Sequence, residues 1–170
     1  SHYRLAGMDA AAAAAYRKAG DEARALYANA EALAHYNMAL ELGLPERAAL
    51  HEAIGDLQAL AGNYAAALAS YAVAAVAGPA HPAALARKRG ELQHRLGEWN
   101  AAEALFAASL ALLPADGSEG ERAYTLAAWS LTARRRGEMT RARSLARQAL
   151  HSAEAAGDQK ALARAHTLLG

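Results

Sequence analysis

The chain has 170 residues and a net charge of +1; it is 54% hydrophobic but 6% aromatic, and about three residues in ten are Ala, well above ordinary usage. The absence of cysteine excludes disulfides and thiolate metal sites. No apolar run approaches the roughly 18 residues that span a bilayer, and the near-neutral balance lacks the basic excess of a nucleic-acid binder. Abundant Ala with few Val and Ile favours packed helices over sheet, because Ala loses no side-chain entropy in a helix.

Periodicity and turn residues predict helices near 9–27, 30–43, 46–61, 64–77, 81–96, 99–112, 120–136, 139–156 and 158–169. Gly20 falls inside the first and is a candidate break. Gly62-Asn63 and Gly97-Glu98 end the third and fifth, since Gly accepts the left-handed conformation that closes a helix. Pro79 and Pro114 end the fourth and sixth, because Pro lacks an amide hydrogen and clashes with the preceding turn. The turn formers of Pro114-Ala115-Asp116-Gly117-Ser118-Glu119-Gly120 predict a longer connection there.

These elements repeat. From Gly55 the series runs Gly62, Tyr64, Ala67, Tyr71, Ala74 and Pro79. From Gly90 it runs Gly97, Trp99, Ala102, Phe106, Ser109 and Pro114 at identical intervals. From Ser130 it reads Gly137, Met139, Ala142, Ala146, Ala149 and Glu154, and from Gly20 it reads Tyr27, Asn29, Ala32, Tyr36, Ala39 and Leu44. Gly55 to Gly90 is 35 residues and Gly90 to Ser130 is 40. The pattern resembles the tetratricopeptide repeat, whose motif runs W-x2-L-G-x2-Y, then A-x3-F, then P, over about 34 residues. Repeats fall near 13–46, 48–81, 83–116 and 123–156, with partial units at 1–12 and 157–170. Two departures stand out. His51 and Ala86 occupy the motif's Trp position, and Arg89 stands where an apolar residue is expected.

The resemblance implies an all-α, right-handed α-solenoid of antiparallel helix pairs forming a single domain of about four repeats with partial ends. Small residues such as Gly55, Ala67 and Gly90 let paired backbones approach, and Tyr71 and Phe106 are expected to fill the space left by the neighbouring unit. The recurring Tyr64, Tyr71, Trp99 and Phe106 are therefore packing residues rather than a base-stacking platform. Leu169-Gly170 matches Ile54-Gly55, so a fifth unit begins at the end of the sequence.

No catalytic constellation emerges, and neither an enzyme nor a cofactor is expected. His51-Glu52 opens like a zinc-protease motif, but Gly55 stands where its second His belongs. No phosphate-cradling loop and no nucleophile elbow is present. Arg134, Arg135 and Arg136, followed by Arg141, Arg143 and Arg147, read either as solvated helix-end charge or as a patch for an acidic or phosphate-bearing partner.

In tetratricopeptide proteins the first helix of each pair lines a concave face that holds peptides or partner helices. Carried onto this sequence, that face takes Arg17, Asp21 and Arg24, then Glu52, Asp56 and Ala59, then Arg87, Glu91, His94 and Arg95, then Ala127, Leu131, Arg134 and Arg135. Asp21, Asp56, Glu91 and Leu131 replace the Asn used by carboxylate-clamping members, so that mode is not expected. The function implied is a protein-interaction scaffold, with a peptide or small-molecule signal receptor as the alternative use of the same groove. Residues 16–36 are also similar to the repeat region of large bacterial regulators that carry an ATPase module with a nucleotide-cyclase or DNA-binding output domain. That similarity implies an excised regulatory portion whose partners include other domains of the same polypeptide. No nucleic acid or membrane partner is expected, and the absence of a signal-peptide pattern suggests a cytoplasmic setting. Ser1-His2 reads equally as native sequence or as a cloning remnant. An unfinished last repeat would expose Ala163, His166 and Leu169 and invite self-association.

Overall fold

The computed structural model describes the backbone of residues 2–169 and the side chains of residues 8–169; Ser1 and Gly170, the expected first glycine of a fifth unit, lie outside the described residues. The described residues form helices without any strand. They divide into two compact units, Ser1–Ala80 and His81–Gly170. The first contains α1 (His2–Ala25), α2 (Asn29–Glu41), α3 (Arg47–Leu60) and α4 (Tyr64–Val76). The second contains α5 (Pro82–Leu96), α6 (Trp99–Ala111), α7 (Glu119–Arg135), α8 (Met139–Ala156) and α9 (Gln159–Leu169). Among the described residues no helix is long and apolar enough to cross a membrane.

Consecutive helices pair as hairpins, α1 with α2, α3 with α4, α5 with α6 and α7 with α8, and α9 packs on α7 and α8. The elements lie where periodicity places them, with ends shifted by a residue or two. The exception is α1, which begins at His2 and runs through Gly20 without a break. Gly20 is there for space. A Cβ on it would lie 2.6 Å from the ring of Tyr36. The same contact recurs as Gly55 against Tyr71 at 2.5 Å and Gly90 against Phe106 at 2.7 Å. Each ring rises from the second helix and lies flat on the bare backbone of the first. All three rings are buried, and so are the alanines four residues before them, Ala32, Ala67 and Ala102. Tyr71 and Phe106 are thus packing residues, but each ring lies on the glycine of its own hairpin rather than in space left by a neighbouring unit. Trp99, at the start of its helix, stays 39% exposed.

The fourth hairpin solves the same problem with other residues. Ser130 stands in the glycine position and Ala146 in the ring position. With no ring to admit, the Ser130 hydroxyl donates to the Ala142 carbonyl at 2.8 Å. Trp129 then packs beside Phe106, with ring centroids 6.4 Å apart.

The turns inside the hairpins share one backbone device. Gly62, Gly97 and Gly137 have φ between 81° and 83° and close α3, α5 and α7. The equivalent residue of the first hairpin is Tyr27, which holds φ 59° with its side chain 87% exposed. A residue with a Cβ is strained there, and Tyr27 has no packing to offset it. Gly78, with φ 84°, lies ahead of Pro79, so α4 is ended by a left-handed residue before the proline is reached.

Replacing Tyr27 by Gly should stabilise the chain by about 1 kcal/mol, seen as a melting temperature higher by about 2–4 °C. Gly55→Ala should cost about 1–3 kcal/mol in a denaturant titration, because the buried Tyr71 ring cannot retreat. A neutral result at Gly55 would mean that the ring contact does not hold the hairpin.

Candidate functional site

The residues carried onto the concave face all stand on first helices, and each unit disposes its own set. In the first unit, Arg17, Asp21 and Arg24 lie on α1 at helical spacing. Arg17 is 3.7 Å from Asp21 and 4.0 Å from Glu46, and Arg24 reaches across to Asp56 on α3 at 3.1 Å. Asp21 and Asp56 also face inward. They accept hydrogen bonds from Tyr36 and Tyr71, each at 2.7 Å. Thus the residue after each spacing glycine secures the hydroxyl of the ring that lies on that glycine. Burial, then Asp21, raise the Tyr36 pKa. Glu52 is half-buried on α3.

In the second unit, Phe106 has no hydroxyl, and Glu91 is released from that duty. It pairs instead with Arg87 at 3.2 Å on its own helix and with Arg164 of α9 at 3.3 Å. Arg87 also makes a two-point contact with Glu121 of α7 and stacks its guanidinium 5.7 Å from the Tyr124 ring centroid. The Arg87 side chain is 15% exposed. Burial alone would lower its pKa, but Glu91 and Glu121 outweigh that and hold it above the usual value. Burial, then Asp158, raise the Tyr124 pKa, and Asp158 caps α9 by accepting from the Lys160 and Ala161 amides at 2.9 and 3.1 Å.

The Glu91–Arg164 contact links two helices across a third. α5 and α9 both pack on α7, yet their side chains meet in front of it. Arg87, Arg164, Glu91 and Glu121 form a charge-balanced quartet there. Farther along, His94 Nδ1 lies 2.9 Å from Thr132 Oγ1, and Arg134 donates to the Leu168 carbonyl at 2.8 Å, closing the last turn of α9. His94 and Arg95 stand in the last turn of α5, and Arg134 and Arg135 in that of α7, so the C-terminal end of the face is basic.

Leu131 is half-buried at the edge of the core. Ala127 departs from expectation: it is 2% exposed and belongs to the core with Ala165 and Leu168, because α9 covers that part of α7. Glu121, Tyr124, Thr132, Asp158 and Arg164 belong to this face but escaped the sequence reading. Each lies in the stretched or partial repeat, where register is hardest to carry. The arginine run is also divided. Arg136 pairs with Glu138 at 2.8 Å and bonds Asn100. Arg141 bridges Glu138 at 2.8 Å and Glu103 at 3.1 Å, with its guanidinium 5.2 Å from the Trp129 centroid. These two join α6 to the α7–α8 turn. Among the described residues no group of three His, Asp or Glu is arranged to hold a metal ion.

Solved structures share the fold. The fold is that of the tetratricopeptide-repeat proteins. MamA superposes with a TM-score of 0.73 at 15% identity, covering 85% of this chain and 80% of its own. YrrB, described as a tetratricopeptide-repeat protein with an unusual peptide-binding site, gives 0.65 at 18% identity, covering 90% and 74%. PilF of Pseudomonas aeruginosa gives 0.68 at 14% identity, covering 95% and 76%. No protein-family model and no curated protein matches the sequence.

Two histidines in this repeat fold are set to respond to acid. Desolvation, then Arg47, lower the pKa of His51 from 6.5. Desolvation, then Arg135 and Arg95, lower that of His94, against a smaller opposing pull from Glu91. Below the unfolded value the unfolded chain binds more protons than the folded one, so stability rises with pH there. The contribution is complete above about pH 6.5 and is lost as pH falls through the folded values. The melting temperature should therefore drop between about pH 7.5 and about pH 5, and His51→Gln with His94→Gln should flatten that drop. An unchanged slope in the double variant would remove the histidines as its cause.

Proposed function

We propose that this chain is a protein-interaction scaffold whose concave face holds a peptide or a segment of a partner domain. In the first unit the proposed contacts are Arg17, Asp21, Arg24, Glu52 and Asp56. In the second they are Arg87, Glu91, His94, Arg95, Leu131, Arg134 and Arg135. The pairing of Glu91 with Arg164 across α7 carries the reading. It sets partly desolvated but balanced charges on the surface shared by α5, α7 and α9. A partner presenting its own carboxylate or cation exchanges into such pairs and meets part of the desolvation already complete. Half-buried Leu131 offers an apolar anchor beside them. The basic C-terminal end of the face favours an acidic segment there. The fold shared with a protein described as peptide-binding supports the same reading.

The wider setting we propose is the regulatory part of a larger bacterial cytoplasmic signalling protein. Partners would then include neighbouring domains of the same polypeptide, and a second copy meeting the exposed Ala163, His166 and Leu169 of α9. A continuous reading frame encoding an ATPase module beside this segment is the expected finding.

Selection of a random peptide library on the chain tests the binding claim. Selected peptides should lose about tenfold or more in affinity when Leu131→Glu or Arg135→Glu is introduced. Peptides indifferent to both changes, on variants with unaltered circular dichroism, would refute the concave face as the site. A metabolite that raises the melting temperature where peptides do not would favour the receptor alternative.

A further inference from the structure

Arg135, Arg143 and Arg147 are the members of the arginine run that the fold leaves over; Arg135 belongs to the proposed concave face, and the other two, Arg143 and Arg147, stand together. Both are exposed on α8, and among the described residues neither makes an ion pair. Four residues separate them, and four more lead to His151, so three cationic or protonatable groups share one helix face. Like charges at that spacing repel and weaken the helix. Among the described residues no carboxylate pairs with them, in contrast to Arg136 and Arg141, which bind Glu138 and Glu103.

This stripe borders a hollow. Leu110 of α6, Arg122 and Leu126 of α7, and Arg147, His151 and Ser152 of α8 line a depression of about 390 Å³. Arg147 and Gln148 also wall a second depression of about 420 Å³ with Thr140, Arg143 and Ser144. The first has an apolar floor, since Leu126 belongs to the core and Leu110 packs against it. Its rim is cationic. Arg122 lies 3.7 Å from Glu119, a loose and partly exposed pair, which leaves the guanidinium able to take another partner.

We propose that this furrow between α6 and α8 is a second docking site, separate from the concave face, for an acidic peptide segment bearing one apolar side chain. The apolar residue would sit over Leu110 and Leu126, and its flanking carboxylates would pair with Arg147, Arg143 and Arg122. Charge complementarity selects the acidic chain, since among the described residues no carboxylate pairs with the stripe. The apolar floor selects a peptide over a bare anion, because a phosphate would leave Leu110 and Leu126 uncovered.

Fluorescence anisotropy with a labelled peptide of glutamates flanking a single central leucine tests this. Saturable binding should appear at low salt and weaken as salt rises. Arg143→Glu and Arg147→Glu should each weaken it about tenfold. The same peptide with serine for leucine should bind more weakly, while Arg135→Glu on the concave face should change little. Circular dichroism melts confirm that these exposed substitutions leave the fold intact. Three results overturn the proposal. One is no saturation up to about 1 mM peptide. Another is loss of binding with Arg135→Glu but not with Arg143→Glu or Arg147→Glu, which moves the site to the concave face. The third is equal binding of the serine peptide, inorganic phosphate or phosphatidylserine vesicles, which reduces the furrow to a plain cationic patch.

Discussion

An aromatic ring lying on a glycine holds each of the first three hairpins together. The second helix delivers the ring and the first helix must supply bare backbone beneath it. With a Cβ 2.5–2.7 Å from ring carbon at Gly20, Gly55 and Gly90, no other residue fits unless the ring moves. That contact fixes how far apart the paired helices lie and which residues of the first helix remain outward. Helix-interior glycine is normally unfavourable by roughly 0.5–1 kcal/mol relative to Ala. Its repeated use here is the cost of closer packing, and burial of a whole ring exceeds it.

The chemistry of the face follows from what the ring carries. In the first two hairpins a tyrosine hydroxyl claims the carboxylate that follows the glycine, and Asp21 and Asp56 serve the hairpin as well as the surface. In the third, Phe106 makes no such claim. Glu91, longer than Asp and unencumbered, reaches outward to Arg87 and Arg164. One missing oxygen on a buried ring thereby changes which groups meet at the surface. The fourth hairpin shows that ring and glycine vary together, since Ser130 accompanies Ala146 and its hydroxyl finds a backbone carbonyl.

Arginines carry much of the remaining interaction between elements. Arg24, Arg87, Arg134, Arg136, Arg141 and Arg164 each reach a different helix or helix end from their own. Planar, multiply donating guanidinium groups suit that task better than lysine would. The few cations without such duties are consequently informative, because a charge that the fold does not use is available to something outside it.

The sequence alone determined the pairing of the helices and most of their ends, though not the early start and unbroken run of α1 or the end of α4 at Gly78. Those depend on local spacing: glycine where the chain must turn left-handed, small residues at the intervals of one helix face, and rings at a fixed distance along the next helix. It also nominated the first helix of each pair for the candidate face. The tertiary structure decided which charges meet. Glu91 and Arg164 are 73 residues apart and Arg87 and Glu121 are 34 apart, and those meetings depend on how α7 settles on α5 and α9 on α7. The same settling buried Ala127. Repeat spacing cannot foresee it, because the last units depart from the regular interval. Local periodicity fixes each helix, whereas partners across the fold are set by the packing of all the helices between them.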